Sequence, residues 1–321
     1  MTQPLLIVGS IGLDDVTTPF GSVQGALGGS AVYASAAASY LAPVRFVGVA
    51  GGDLPRGAFD FLVRRGVDLE GLQSVPDGRT FRWGGKYSFD LNARDTTFTE
   101  LNVLADFDPV IPARYVGTPY VLLGNLVPKV QERVLDLVAR GKPPAPRPGE
   151  GSRARSPSHP FVVMDTMNFW IEGARADLDR VLARADVVIV NDAEARELAG
   201  THNLVKAGRA IRGMGPTAVV VKKGEHGALL FDRAGIFSAP AFPLEDVFDP
   251  TGAGDAFAGG FLGHLAREDA TDERALRRAV IAGSALASLC VERFSVEGLR
   301  DRPAKDVEAR IEAFRELAGW G

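Results

Sequence analysis

Short apolar runs alternate with helix-patterned segments along most of this chain, and that rhythm restricts its fold more than any other feature. The runs are Leu5–Val8, Arg45–Val49, Tyr120–Leu123, Phe161–Asp165, Val187–Val190, Ala218–Lys222 and Ala228–Phe231. Between them lie helix-patterned segments at Gly29–Leu41, Gly57–Arg65, Lys129–Arg140, Leu178–Ala183, Ala193–Ala199, Leu204–Met214, Asp255–Arg267 and Glu273–Glu292. A strand that is apolar on both faces needs cover on both faces, and an intervening helix makes successive strands parallel. The expected fold is an α/β body of three layers, α/β/α, around a mostly parallel sheet. At 321 residues the chain can bury a core that needs no disulfide or structural metal. Its single cysteine, Cys290, excludes a disulfide framework and fits a reducing compartment, so a cytoplasmic location is expected.

One stretch has a different period. From Phe81 to Leu91 the odd positions are Phe81, Trp83, Gly85, Tyr87, Phe89 and Leu91, with mostly polar residues between them. Alternation of this kind marks a strand with one apolar face. Asn92–Thr96 reads as a turn and Thr97–Leu101 as the returning strand. A second extended stretch, Asp15–Leu27, precedes the first helix. Together the excursions at about 14–28 and 75–104 predict a small β-sheet lid on a single domain spanning 1–321. Its apolar face would be covered by a substrate cleft or by a partner subunit. An antiparallel extension of the main core is the other reading. Residues 141–160 hold six prolines, three glycines and four basic residues, the composition of a flexible insertion.

Several function classes are excluded. A net charge of −4 does not suit a nucleic-acid partner. No apolar run approaches the roughly 18 residues of a membrane span. The start, Pro4–Gly9, lacks the basic region and cleavage site of a secretion signal. The four histidines have no metal-ligand spacing to one another or to Cys290, which argues against zinc. No Gly-Lys-Ser/Thr occurs, so there is no Walker A loop, and no nucleophile elbow is present. A dinucleotide fingerprint starting at Gly252 would need glycine where Phe257 stands.

The segment that carries chemistry is Asp249-Pro250-Thr251-Gly252-Ala253-Gly254-Asp255, followed by a helix rich in small residues. Gly252, Ala253 and Gly254 are small enough for their backbone N–H groups to face one anion, and the helix N-terminus adds partial positive charge. Such an anion hole suits the charge that develops on a phosphoryl group. Asp255 stands at its edge, where a carboxylate can accept a proton from an attacking hydroxyl. A tight turn with Asp255 as a helix cap is the plainer reading of the same residues.

Here the sequence resembles the PfkB carbohydrate kinase family of ribokinase-like sugar and nucleoside kinases. Asp249–Asp255 is similar to its C-terminal signature. Gly28-Gly29-Ser30-Ala31 with the helix Ala34–Leu41 resembles its N-terminal Gly-Gly signature. Val47–Asp53 with Gly57, then Gly66-Val67-Asp68, resembles the segment that follows. Ser10–Asp14 is similar to the first βα turn, Asn191-Asp192-Ala193-Glu194 to the N-x-x-E motif, and Lys223–Gly227 to the G-x-x-G turn. The matches run in family order from about residue 5 to about 299.

The resemblance implies an ATP-dependent phosphotransferase acting on a hydroxyl of a sugar, polyol or nucleoside. Asp255 would be the general base, and Gly252, Ala253 and Gly254 the anion hole. Asp14, Gly28, Gly29, Asn102 and Asn125 would bind the acceptor, with Arg82 and Trp83 reaching the cleft from the lid. Asn191, Glu194, Lys222, Gly224, Gly227, Thr251 and Ser284 would form the nucleotide side. Glu194 would hold Mg2+ through water, because Mg2+ usually keeps several waters. A monovalent cation such as K+ near Asp249–Thr251 and a homodimer through the lid are implied as well. Read without the family, Asn191 and Glu194 form a helix cap, Gly224 and Gly227 a β-turn, and Asp14 a solvated turn. A catalytically silent sugar- or nucleotide-binding protein is the alternative from another class. Two departures bear on the acceptor. Tyr33 stands where ribokinases carry Asn in G-G-x-x-x-N. The family's D-x-N-x-R is replaced by Asp165-Thr166-Met167-Asn168-Phe169-Trp170.

Overall fold

The computed structural model describes residues 1–91, 93–139 and 159–318. In chain order its strands are β1 Leu5–Val8, β2 Gly12–Thr18, β3 Gly21–Gly28, β4 Val44–Gly51, β5 Asp68–Val75, β6 Phe81–Tyr87 and β7 Arg94–Glu100. Then follow β8 Tyr120–Leu123, β9 Phe161–Asp165, β10 Val187–Asn191, β11 Ala218–Lys222, β12 Ala228–Asp232 and β13 Gly235–Ala239. The main sheet has the order β13-β12-β11-β10-β9-β8-β1-β4-β5. From β11 to β5 every pairing is parallel, and β12 and β13 add an antiparallel edge.

Residue parity divides the core in two. In β1, Leu5 and Ile7 join one hydrophobic cluster, while Leu6 and Val8 join the other. Val187 and Ile189 of β10 follow Leu5 and Ile7, and Val188 and Val190 follow Leu6 and Val8. The first cluster holds the helices Ser30–Ala38, Ala253–Glu268 and Glu273–Cys290. The second holds Pro128–Val138, Arg175–Leu182, Asp192–Ala199 and Leu204–Gly213. The expected three-layer arrangement is therefore present, and the period-2 pleat of each strand produces it.

The helix Ala253–Glu268 crosses Ser30–Ala38 at close range. A Cβ at Gly259 would collide with the Ala34 carbonyl oxygen, so only glycine permits this approach. The close crossing brings the Gly252–Asp255 turn over the sheet.

The second sheet has the order β3-β2-β6-β7, with β2 and β6 parallel and the other pairs antiparallel. It is separate from the main sheet, so the reading as an extension of the main core falls. Its two pieces are residues 12–28 and 81–100. The lid alternation ends at Tyr87 rather than Leu91, because the chain turns between Ser88 and Ala93. Leu91 has φ 59°, and Phe89 is 88% exposed. The returning strand begins at Arg94, three residues earlier than its apolar content suggests.

Strands β5 and β13 and the helices Asn168–Gly173 and Ala304–Ala318 were not foreseen. Both of these strands lie at sheet edges, where half-exposed residues leave no continuous apolar run. Of the expected insertion, residues 141–158 lie outside the described residues. No helix among the described residues is long and apolar enough to cross a membrane.

Candidate active site

The strand order reverses direction between β1 and β8: β4 and β5 are added on one side, β8 to β11 on the other. In an open α/β sheet, ligands bind outside the carboxyl ends of the strands at such a switch point. Here the lid excursions also leave the body, after β1 and after β5.

On the body side, parity places three strand-terminal residues on the face of the helix Ala253–Glu268. They are Asp165 of β9, Asn191 of β10 and Lys222 of β11, and all share the parity of the first hydrophobic cluster. Lys222 Nζ lies 3.8 Å from Asp165 Oδ2, and both side chains are largely buried. The ammonium also sits over the anion turn: a Cβ at Gly254 would stand 2.6 Å from Lys222 Nζ. A side chain at 254 would push this ammonium aside.

The turn itself needs one correction. The Ala253 N–H donates to the Pro250 carbonyl at 3.2 Å and cannot serve an anion as it stands. The N–H groups of Gly252, Gly254 and Asp255 meet no acceptor among the described residues. Gly252 holds the left-handed conformation, φ 76°, that starts the helix. The N–H groups left to face a ligand are thus those of Gly252, Gly254 and Asp255, with the Lys222 ammonium beside them.

Charge crowding tunes this group. Burial pushes the Asp255 carboxyl up to about 7, Asp165 and Glu194 push the same way, and Lys222 and Arg94 oppose them. Glu194 also rises to about 7, from burial and the nearby Asp165. For Lys222 burial alone would lower the pKa, but Asp165, Glu194 and Asp255 surround it and raise it instead. Lys222 therefore stays charged at neutral pH. A carboxyl poised near 7 suits proton transfer at neutral pH.

Asn191 and Glu194 form a capping box. Asn191 Oδ1 accepts from the Glu194 N–H at 2.8 Å, and Glu194 Oε2 accepts from the Asn191 N–H at 2.8 Å. The motif therefore works as a helix start, and Glu194 Oε1 remains for a further partner. With Asp165 nearby, the oxygen-only donor set fits Mg2+ through water.

On the lid side, Asp14 lies in β2 rather than in a βα turn or in solvent, and it is 5% exposed. Its carboxyl occupies the space that a side chain at Gly28 would need. Burial pushes it up to about 8, and Asp249, Asp255 and Asp15 add to the shift. Gly29 has φ 96°, and a Cβ there would stand 2.5 Å from the Ser10 carbonyl oxygen. Tyr87 is the lid's direct link to the turn: its hydroxyl is 3.1 Å from Thr251 Oγ1. Thr251 is fixed in turn by its N–H, which donates to Asp249 Oδ1 at 2.8 Å.

Other residues singled out in the sequence have different surroundings. Asn102 donates from Nδ2 to the Thr80 carbonyl at 2.9 Å, at the base of the lid. Asn125 accepts from Trp170 Nε1 at 2.9 Å and donates toward Met167 Sδ at 3.0 Å. Arg82 pairs with Asp15 at 3.4 Å. Gly224 and Gly227 bound a single turn between β11 and β12, and a Cβ at Gly227 would collide with the Ala239 carbonyl oxygen. Ser284 is half-buried in the helix Glu273–Cys290. Tyr33 packs its ring on Gly252, and its buried hydroxyl has no partner. Among the described residues no group of three or more His, Cys, Asp or Glu is arranged to hold a metal directly.

Sequence reasoning missed Asp165, Tyr87 and Arg94. A carboxylate at the C-terminal end of an apolar strand was an available signal for Asp165. Tyr87 was visible only as part of an apolar face, and Arg94 lay in what read as a turn.

Residues 154–301 match a family model described as pfkB family carbohydrate kinase. Over 82% of this chain and 88% of its own length, a cytidine kinase from Thermococcus kodakarensis is 29% identical. An aminoimidazole riboside kinase from Salmonella typhimurium is 32% identical over 44% of this chain and 46% of its own length. Among solved structures, a Methanocaldococcus jannaschii nucleoside kinase covers 97% of this chain and 98% of its own, at 18% identity and TM-score 0.73. A probable sugar kinase from Rhizobium etli covers 98% and 100%, at 19% identity and TM-score 0.76. The fold shared with these kinases, the match of residues 154–301 to the pfkB family model and the phosphoryl-suited turn at Gly252–Asp255 agree, and the chain is similar to the pfkB family of carbohydrate kinases.

Proposed function

We propose that this protein is an ATP-dependent kinase that phosphorylates a hydroxyl of a sugar-containing small molecule. The observation that carries the reading is the Asp255 carboxyl beside a turn with three free N–H groups and the Lys222 ammonium. The acceptor hydroxyl gives its proton to Asp255 as its oxygen forms a bond to the γ-phosphorus. The bridging bond to the β-phosphate breaks, and its electron pair leaves with ADP. Gly252, Gly254, Asp255 and Lys222 neutralise the transferring group through N–H donors and one fixed positive charge. Phosphoryl transfer needs positioning and charge neutralisation more than covalent help, so these groups suffice on the protein's side. Mg2+, held by Glu194 through water, would neutralise charge between the nucleotide phosphates. Asp14 accepts hydrogen bonds from acceptor hydroxyls, and the lid excludes water.

Within this class we favour a nucleoside acceptor. The support is the likeness to a cytidine kinase over most of both chains and to an aminoimidazole riboside kinase over about half. Free sugars and polyols remain the second reading, because Asp14 recognises hydroxyls and not a base.

The test is ADP release from Mg-ATP against a panel of nucleosides, sugars, polyols and sugar phosphates, with Asp255→Asn as the blank. A nucleoside turned over by wild type alone supports the reading. Turnover confined to a free sugar replaces the nucleoside with a sugar acceptor. ATP binding with no turnover in either protein returns the silent binding protein.

A further inference from the structure

The site described so far has five carboxyl groups, Asp14, Asp165, Glu194, Asp249 and Asp255, and one buried cation, Lys222. A triphosphate would bring more negative charge into that cleft. The lid holds a second cation with a built mount. Arg94 opens β7 directly opposite Tyr87 of β6. Directly opposed residues of an antiparallel pair share a face. Tyr87 touches Thr251, so that face looks onto the anion turn. Gly85, between Trp83 and Tyr87, lets the Trp83 ring lie flat along the strand, since a Cβ at 85 would collide with it. The Arg94 guanidinium stands 5.2 Å from the centre of the Trp83 ring. Stacking on Trp83, with a side-chain hydrogen bond to Tyr87, holds the guanidinium in place and leaves its remaining donors for a ligand.

Resting on the kinase reading, we propose that Arg94 is a lid-borne catalytic residue that contacts the transferring phosphoryl group when the lid is closed. Its position is consistent with its electrostatic reach: its charge opposes the upward shifts of Asp14, Glu194 and Asp255. As the acceptor oxygen bonds to the γ-phosphorus and the bridging bond to ADP breaks, charge spreads over the equatorial oxygens. A forked guanidinium can donate to two of those oxygens at once. Because Arg94 rides on the lid, this help arrives only with closure, which couples acceptor capture to chemistry.

The experiment compares wild type, Arg94→Ala and Arg94→Lys by turnover and by thermal shift with MgADP, alone and with aluminium fluoride as the phosphoryl mimic. We expect Arg94→Ala to lose ~10³–10⁵-fold in kcat, by analogy with arginines supplied to phosphoryl transfer. The KM for ATP should change little. Arg94→Lys should recover part of the rate, because the charge returns without the fork. MgADP alone should raise the melting temperature of all three proteins, and the extra rise from fluoride should vanish only in Arg94→Ala. An unchanged fluoride increment in Arg94→Ala, or a loss confined to KM, overturns the role of Arg94 and leaves the kinase reading standing. Absence of any MgADP shift in wild type overturns both. If Arg94→Ala does not fold, Arg94→Lys decides: full wild-type kcat and fluoride increment sink the proposal, and a partial loss of both supports it.

Discussion

Every residue of β1 is buried, whereas β7 exposes six of its seven residues, and the functional groups divide along the same line. The body sheet is covered on both faces, so the groups at its carboxyl edge are held by a rigid frame. Asp165, Lys222 and the Gly252–Asp255 turn belong to that frame. The lid sheet has one face on the cleft and one in solvent, and it meets the turn through Tyr87. The difference teaches that the buried cluster of charges is built into the doubly covered body, while the exposed strand of the lid carries Arg94 at its start. Burial drives both sheets, but only the body buries enough apolar surface on two sides to hold a cluster of like charges in place.

Beyond Arg94, the largest expected effect tests the body. Asp255→Asn should reduce kcat by ~10²–10⁴-fold, the usual worth of a general base, with ATP still bound. Wild-type kcat/KM should climb with pH through about 7, where Asp255 loses its proton, and the residual rate of the variant should lack that limb. A variant that changes only the KM for the acceptor would move the proton acceptor elsewhere.

Next in size is Lys222→Met. It leaves Asp165 without its partner 3.8 Å away, and removing one member of a buried pair costs about 3 kcal/mol. Chemical denaturation should show the loss, together with a raised KM for ATP. Unchanged stability would mean that the body frame does not depend on this charge.

The link between body and lid is smaller. Tyr87→Phe removes the hydroxyl that meets Thr251 at 3.1 Å and also bonds Arg94, each contact worth about 1 kcal/mol. The expected result is a several-fold rise in the KM for the acceptor with melting temperature nearly unchanged. A large drop in melting temperature instead would make Tyr87 part of the body's stability and weaken the contrast.

The smallest effect concerns Asp14. Its folded carboxyl is pushed up to about 8, above the ordinary value of 3.8, so the folded state holds its proton more tightly. The stability this gives is complete below pH 4 and is lost as pH rises through about 8. Asp14→Asn removes the penalty, so its melting temperature should exceed that of wild type at pH 9 by on the order of 2 °C and match it only below about pH 4. Acceptor binding should be lost. A wild-type advantage at pH 9 would show that the Asp14 carboxylate is stabilised by the lid rather than strained.

Much of this was legible without coordinates. The unbroken apolar runs at Tyr120–Leu123, Phe161–Asp165 and Ala218–Lys222 match strands to the residue, because a doubly covered strand must be apolar throughout. The turn at Gly252–Asp255 was legible for a similar reason: small residues before a helix that itself packs closely leave few alternatives. The lid was legible as a separate sheet but not in its register. Phe89 continued the apolar alternation on paper and is exposed in the structure, because the turn starts before it.

The sequence by itself determined the layer order, the parity that sends alternate side chains to opposite faces, and the existence of a small-residue turn at the start of a closely packed helix. These follow from local periodicity and from the backbone demands of small residues. Only the tertiary structure decided which charges share the cleft. Asp165, Lys222 and Asp255 are far apart in the chain, and Arg94 lies in a segment whose own pattern read as a turn. Their meeting depends on strand order, on the close crossing of two helices and on one antiparallel register. A single chain's periodicity does not encode those long-range pairings in any one segment, and charge interactions fall off with distance in space rather than in sequence.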